Sequence, residues 1–258
     1  MHNDTKTRTL GAEAAASQDA ILSIDIGGTL IKASVVSRSG AMLVPWVRVP
    51  TPSNATPQRV LATIAGIVRD FPPFDKASIA FPGVVQHGVV KTAPNLATGA
   101  WLGHDFRAEI RSAFDCDVRI LNDAIVQGLG VASGPGVDCI LTLGTGLGCA
   151  LFKDSRFLIQ LELGQQLGLE NLKFDDYVGH SAFLAVGEAI WNERASRTIS
   201  VVRNLTHPNR ILICGGNARR ITFSLPADVE LFPMTAGITG GARLWDSSVA
   251  EDFERDFR

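Results

Sequence analysis

A strand–glycine turn–strand unit occurs twice in this chain, about 119 positions apart (Asp25 to Gly144). Ile21–Ile26 is an apolar run broken by Gly27-Gly28-Thr29, and apolar residues resume over Leu30–Val36. Val137–Leu143 repeats the pattern, with Gly144-Thr145-Gly146-Leu147-Gly148 as the turn and Cys149–Phe152 as the returning strand. β-Branched residues with Gly/Thr punctuation read as short strands joined by tight turns. A chain that begins each half this way predicts an α/β protein of two lobes with related topology and helical crossovers.

The rest of the chain fits that plan. Met42–Val49 reads as a third strand, and Thr56-Pro57 opens a helix carrying Val60, Leu61, Ile64, Ile67 and Val68 at helical spacing. Ser78–Phe81 is a strand, and Val84-Val85 with Val89-Val90 flank Gln86-His87-Gly88 as a small hairpin, which makes His87 a turn residue. Asp105 can cap a helix over 106–114, Val118–Leu121 is a strand, and Asn122 opens a helix to about Ser133. Helices are expected over about 175–204, with Phe183, Val186, Ile190, Ile199 and Val202 as an apolar stripe, and over 237–255. Ile211–Cys214 is a strand that meets Gly215-Gly216-Asn217. The expected division is a tail over 1–20, lobes over 21–123 and 124–236, and a last helical segment over 237–258 that packs back on the first lobe.

Composition narrows the partners. The 258 residues carry 24 Lys plus Arg against 26 Asp plus Glu, so a bulk nucleic-acid partner lacks its basic surplus. No apolar stretch approaches the roughly 18–20 residues that span a bilayer, and the first twenty residues lack a signal-peptide core. Cys116, Cys139, Cys149 and Cys214 form no CxxC pair, and three of them sit in apolar runs. Buried reduced thiols and a cytoplasmic location follow as expectations.

There is no GxxxxGK[ST], and GTGLG neither completes GxGxxG nor precedes a helix, so P-loop and Rossmann sites are disfavoured. Two Gly/Thr turns can present backbone N–H groups and hydroxyls to a polyanion from two sides, although each alone also suits an ordinary hairpin. Asp123 falls where a strand ends and a helix starts; there the dipole holds a carboxylate ionised, and the residue serves either as a proton acceptor or as part of a cap. Asp25 either holds a solvated metal ion beside phosphate or caps the turn. Glu162 and Asn95 either bind a ligand hydroxyl or are surface and turn residues. Six arginines between 190 and 220 (Arg194, Arg197, Arg203, Arg210, Arg219, Arg220) face one acid, Glu193; they form either a polyphosphate-guiding strip or a solvated helix face.

In this order, DIGGT with the following Ile31-Lys32, FPGVV, PNL followed by Trp101, LNDA, LGTGLG, ELG and CGGN resemble the ROK (repressor, open reading frame, kinase) sugar-kinase family. The likeness runs from about 21 to 245 and is strongest to its short polyphosphate/ATP glucokinase branch. The resemblance implies a two-lobed actin-like (ribonuclease H-like) fold with mixed sheets flanked by helices. It implies phosphoryl transfer from ATP or inorganic polyphosphate to a glucose-like hexose, with Asp123 as general base. Asn95, Asn122, Glu162 and Gln165 would meet the sugar. Asp25, Gly27, Gly28, Thr29 and Lys32, with Gly144, Thr145 and Gly146, would hold the phosphates and Mg²⁺, Asp25 through water; Gly215 and Gly216 would approach the adenosine.

Two departures stand out. Where the family follows the glutamate with Gly-His, this chain has Gly164-Gln165, and an amide cannot carry charge as imidazole can. The Cys-rich zinc loop of longer members has no counterpart, so no zinc is expected. A non-catalytic sugar or nucleotide sensor and a kinase for a non-glucose sugar therefore stand beside the hexose-kinase reading. The first twenty residues, polar and Ala-rich, are not expected to form the DNA-binding helix-turn-helix that precedes the sugar fold in the family's regulators, and apolar helix surface points to a homodimer.

Overall fold

The computed structural model describes residues 20–96 and 98–249. Of the tail expected over 1–20, residues 1–19 lie outside the described residues, as does the part of the last helix beyond 249, while Ala20 already belongs to the first strand. Two five-stranded sheets form the framework. In the first, β1 (Ala20–Ile26), β2 (Leu30–Ser37) and β3 (Val47–Pro50) make an antiparallel meander, and β4 (Lys76–Phe81) and β7 (Asp117–Asn122) add in parallel, in the order β3-β2-β1-β4-β7. The second is built the same way from β8 (Val137–Leu143), β9 (Leu147–Lys153), β10 (Arg156–Leu161), β11 (Arg210–Cys214) and β12 (Val229–Leu231), in the order β10-β9-β8-β11-β12. The repeated unit seen in the sequence is thus the leading hairpin of each sheet. β5 (Val85–Gln86) and β6 (Val89–Val90) form the small hairpin, with His87 and Gly88 at φ 53° and 87° in its turn.

Helices cover the sheets where the sequence supplies an apolar face. α1 (Pro57–Val68) buries Val60, Ile64, Ile67 and Val68 against the first sheet. Thr56 precedes it without a side-chain cap, and its carbonyl accepts the first helical bond (Val60 N–H to Thr56 O, 2.9 Å). After the four-residue α2 (Thr98–Trp101), α3 (Phe106–Phe114) is capped by Asp105, whose carboxylate accepts from the Ala108 N–H at 2.9 Å. α5 (Phe174–Val178) and α6 (His180–Thr206) cover the second sheet.

Three expected elements differ. The third strand begins at Val47, not Met42, because Pro45 has no N–H for the ladder; Met42 makes one isolated bridge to Val36. The stripe on α6 is interrupted, because Gly187 sits at φ 77°, ψ 174° inside the helix. Past the break, Ile190 stands nine residues before Ile199 and so on the opposite face of the same helical segment, which leaves Ile190 exposed while Ile199 and Val202 are buried. The last helix, α7 (Ala236–Arg243), is shorter than expected: the chain turns over 244–246 and helical structure resumes at 247.

α4 (Asp123–Val131) and α7 lie together between the two sheets. Ile125, Val126 and Leu129 of α4 join Ala80 and Leu121 from the first sheet with Ile140, Phe152 and Leu212 from the second in one core. Each such large side chain contributes about 1.5–3 kcal/mol when fully buried. The helices cross closely because Gly130 and Gly240 oppose each other; a Cβ on Gly240 would overlap the Val126 carbonyl. α7 is tied to the first sheet by Ser23 Oγ donating to Ile238 O (2.8 Å) and Ser78 Oγ donating to Gly241 O (2.6 Å). This packing fixes where α4 begins, and α4 begins with Asp123.

Candidate active site

Strand ends and glycine turns from both sheets converge on one cavity of about 310 Å³. The β1–β2 turn brings Asp25, Gly27, Gly28, Thr29 and Lys32; the β8–β9 turn brings Gly144, Thr145 and Gly146. Asn122 and Asp123 come from the β7–α4 junction, Asn95 from the loop before α2, Glu162 and Gln165 from the turn after β10, and Gly215 and Gly216 from the end of β11. Every residue that the family resemblance assigns to the site therefore lines the same space.

The turns touch. Thr29 Oγ1 and Thr145 Oγ1 are 3.0 Å apart, and the Gly28 backbone packs against Asn95 and Thr145. The β8–β9 turn is held from behind by Asn217, whose N–H donates to Leu143 O (2.9 Å) and whose Nδ2 donates to Gly144 O (3.0 Å). Gly215 makes that approach possible: its φ is +94°, and a Cβ there would overlap the Leu143 carbonyl.

Asp25 is buried, and its Oδ2 accepts from Lys32 Nζ at 2.6 Å, one register pair across the hairpin. Asp123 tops α4 with Oδ1 accepting from the Ala124 N–H at 2.9 Å. The expectation that the helix dipole keeps it ionised is overturned. Burial, reinforced by the neighbouring charge of Asp25, pushes its carboxyl up to about 7, against the smaller opposing pulls of the Ala124 N–H and Lys32. Desolvation outweighs the dipole because the half-buried side chain faces the cavity beside other carboxylates. Asn122 caps α4: its Oδ1 accepts from Ala124 and Ile125 N–H, and its Nδ2 donates to Gly83 O at 3.2 Å. Its carbonyl is spent on the helix, which leaves one amide hydrogen for a ligand.

Glu162 is half-buried and accepts from Gln160 Nε2; burial raises its carboxyl, the Gln160 bond lowers it, and Asp175 nearby raises it. Gln165 Nε2 donates to Asp175 Oδ2 at 2.6 Å, and Lys173 Nζ donates to Gln165 Oε1 at 3.2 Å.

The sequence reading missed Asp175, His180 and Asn217, which also line the cavity. Only the glycines they approach hinted at them. The arginine group divides. Arg194 and Arg197 pair with Glu170, Arg203 with Asp228 and Arg210 with Asp138, whereas Arg219 and Arg220 line the cavity. Arg220 lies 3.9 Å over the Phe183 ring, which stacks on His180, and donates to Asn217 Oδ1 at 3.2 Å.

Among the described residues no group of three or more His, Cys, Asp or Glu side chains could hold a metal ion. Asp25 offers one carboxylate whose Oδ1 has no hydrogen-bond partner among those residues. That suits Mg²⁺, which keeps several waters and takes one or two carboxylates plus phosphate oxygens. The four cysteines are all buried and none is in a disulfide, and no helix among the described residues is long and apolar enough to cross a membrane.

Paired sheets of identical strand order, with glycine turns facing each other across a cleft, define the actin-like two-lobed fold. The chain belongs to the ROK family, whose model matches residues 21–163. It is 30% identical over 236 residues to the polyphosphate glucokinases of Mycobacterium leprae and Mycobacterium tuberculosis, covering 85% of this chain and 72% and 88% of those proteins. Among solved structures it is similar to the inorganic polyphosphate/ATP-glucomannokinase of Arthrobacter sp. strain KM, with TM-score 0.79, 29% identity and coverage of 87% and 97%. A ROK glucokinase of Streptomyces griseus in complex with glucose and AMPPNP shares the fold, at TM-score 0.68, 18% identity and coverage of 87% and 98%.

Proposed function

We propose that this protein is a sugar kinase that transfers a phosphoryl group from ATP or inorganic polyphosphate to a hydroxyl of a glucose-like hexose. The observation that carries this reading is Asp123, a carboxyl near neutrality at the head of α4, in the cavity where the two Gly/Thr turns meet. Relatives at 30% identity named polyphosphate glucokinase support it.

The sugar lies against Glu162, Asn95, Gln165 and the free amide hydrogen of Asn122. Asp123 accepts the proton of the attacking hydroxyl as the new O–P bond forms, and a group titrating near the working pH is suited to that task. Thr29, Thr145 and the N–H groups of both turns cradle the donor phosphates, and Lys32 adds positive charge beside Asp25. Gly215 and Gly216 leave room for an adenosine. Asp25 would hold Mg²⁺ through water, and the ion supplies charge neutralisation of the phosphates when bound. Reaction follows from positioning and electrostatics, with the lobes over 21–123 and 124–236 closing on the two substrates.

A donor-by-acceptor activity matrix at fixed Mg²⁺, wild type against Asp123→Asn, tests the reading. Transfer by wild type with loss in the variant is expected; equal activity in both removes Asp123 as base. One observation favours a sugar other than glucose: Gln165 stands where the family has His and is already bonded to Asp175 and Lys173. In the same matrix that reading gives a preferred acceptor other than glucose, while heat-stabilisation by sugar without turnover identifies a sensor.

A further inference from the structure

The Asp175 carboxylate lies between the two turns that flank the cavity. Its Oδ1 accepts from the Leu147 N–H at 2.7 Å, where the Gly144–Gly146 turn enters β9. Its Oδ2 accepts from Gln165 Nε2 at 2.6 Å, in the turn that also holds Glu162. Each turn has a glycine against it: a Cβ on Gly146 or on Gly164 would overlap the carboxylate. α6 continues the link, since the His180 N–H donates to Thr145 O at 3.2 Å. Gln165 is also oriented. A carboxylate only accepts and an ammonium only donates, so Asp175 and Lys173 together admit one amide rotamer, Nε2 to Asp175 and Oε1 to Lys173.

We infer that Asp175 is a positioning residue that clasps the donor-side turn to the acceptor-side turn and sets the amide orientation of Gln165. The assignment of donor and acceptor sides rests on the kinase reading above; the clasp itself rests on the contacts just described. Two glycines facing one carboxylate from separate turns indicate that the site is shaped around Asp175. A sugar seated on Gln165 therefore bears on the same group that holds Leu147, and occupation of one side is linked to the other.

The test uses the full-length protein and two variants, Asp175→Asn and Gln165→Leu. The amide introduced by Asp175→Asn can accept from the Leu147 N–H or from Gln165, but its NH₂ group then sets donor against donor at the other contact. In hydrogen exchange without ligand, Asp175→Asn is expected to raise exchange at 144–148 and at 162–166 together. Gln165→Leu, which leaves the Leu147 bond in place, is expected to raise it at 162–166 alone. In kinetics, Asp175→Asn raises KM for donor and sugar about tenfold each, the scale of one hydrogen bond to a charged group, and kcat changes less. Gln165→Leu raises KM for the sugar only, and the double variant adds nothing further to that KM. A change confined to one turn or one substrate in Asp175→Asn overturns the clasp, as do additive effects. If Asp175→Asn fails to fold, donor-side exchange in Gln165→Leu equal to that at 162–166 overturns it instead. Wild type that phosphorylates no sugar removes the kinase reading and leaves the exchange result to decide the clasp.

Discussion

Thr29 Oγ1 and Thr145 Oγ1 sit 3.0 Å apart, although 116 residues separate them in the chain. Each belongs to the leading hairpin turn of its own sheet, so the pair marks where the two halves meet over the cavity. Hydroxyls so placed can turn from each other to a phosphate between them.

Removing either hydroxyl should weaken donor binding. Thr29→Val and Thr145→Val are each expected to raise donor KM by roughly tenfold, given about 1.5–3 kcal/mol for a hydrogen bond to a charged group. The double variant should lose less than the sum of the two, because the hydroxyls face the same space. Steady-state kinetics with varied donor at saturating sugar reads both effects.

Asp123 should govern the acid limb of the pH profile. The base must be deprotonated, so kcat/KM should fall as pH drops through about 7. Asp123→Asn should lower kcat by about 10²–10⁴ and remove that limb. Stability moves oppositely. The folded state holds this proton more tightly than the unfolded chain, whose carboxyl titrates at its ordinary 3.8. The stabilisation is complete below that value and is lost as pH rises through about 7. Melting of wild type and Asp123→Asn at pH 5 and pH 8 checks this: the variant should gain relative to wild type only at pH 8.

Lys32 should matter to stability as well as to binding. It pairs with a carboxylate that is almost wholly buried, and removing it leaves that charge without its partner. Lys32→Met is expected to cost about 3–5 kcal/mol, and adding Asp25→Asn should recover part of the loss. Urea unfolding of the single and double variants measures the recovery.

The glycine crossing between α4 and α7 has little slack. Gly240→Ala sets a methyl group against the Val126 carbonyl and should destabilise by about 1–3 kcal/mol. Because α4 carries Asp123, the displaced helix should also lower kcat more than it raises either KM.

Arg219 and Arg220 should distinguish the donors. Unlike the four paired arginines, they line the cavity. Their joint replacement by Ala should raise KM for polyphosphate more than for ATP and flatten its dependence on salt, since a longer polyanion meets more positive charge. Equal effects on the two donors would assign the pair to a contact that both share.

Much of the frame was legible from local pattern. The two apolar–glycine–apolar units read directly as hairpins, and Asp105 and Asn122 announced helix starts that their side chains do cap. Strand-end glycines and polar residues at strand–helix junctions made the site residues visible one by one, and the packing of the two sheets brings them to one cavity. What failed was also local in cause: Gly187 breaks α6 within the expected stripe, and Pro45 delays β3.

By itself, then, the sequence determined where each strand turns and which carboxyl opens α4, since those depend on residues within a few positions of each other. Only the tertiary structure decided that Thr29 meets Thr145, that Asp175 bridges two turns, and that four arginines are paired while two face the cavity. It alone also set the proton affinity of Asp123. That depends on desolvation and on Asp25, which lies 98 residues earlier in the chain and is brought near only when β1 and α4 pack at the same cleft.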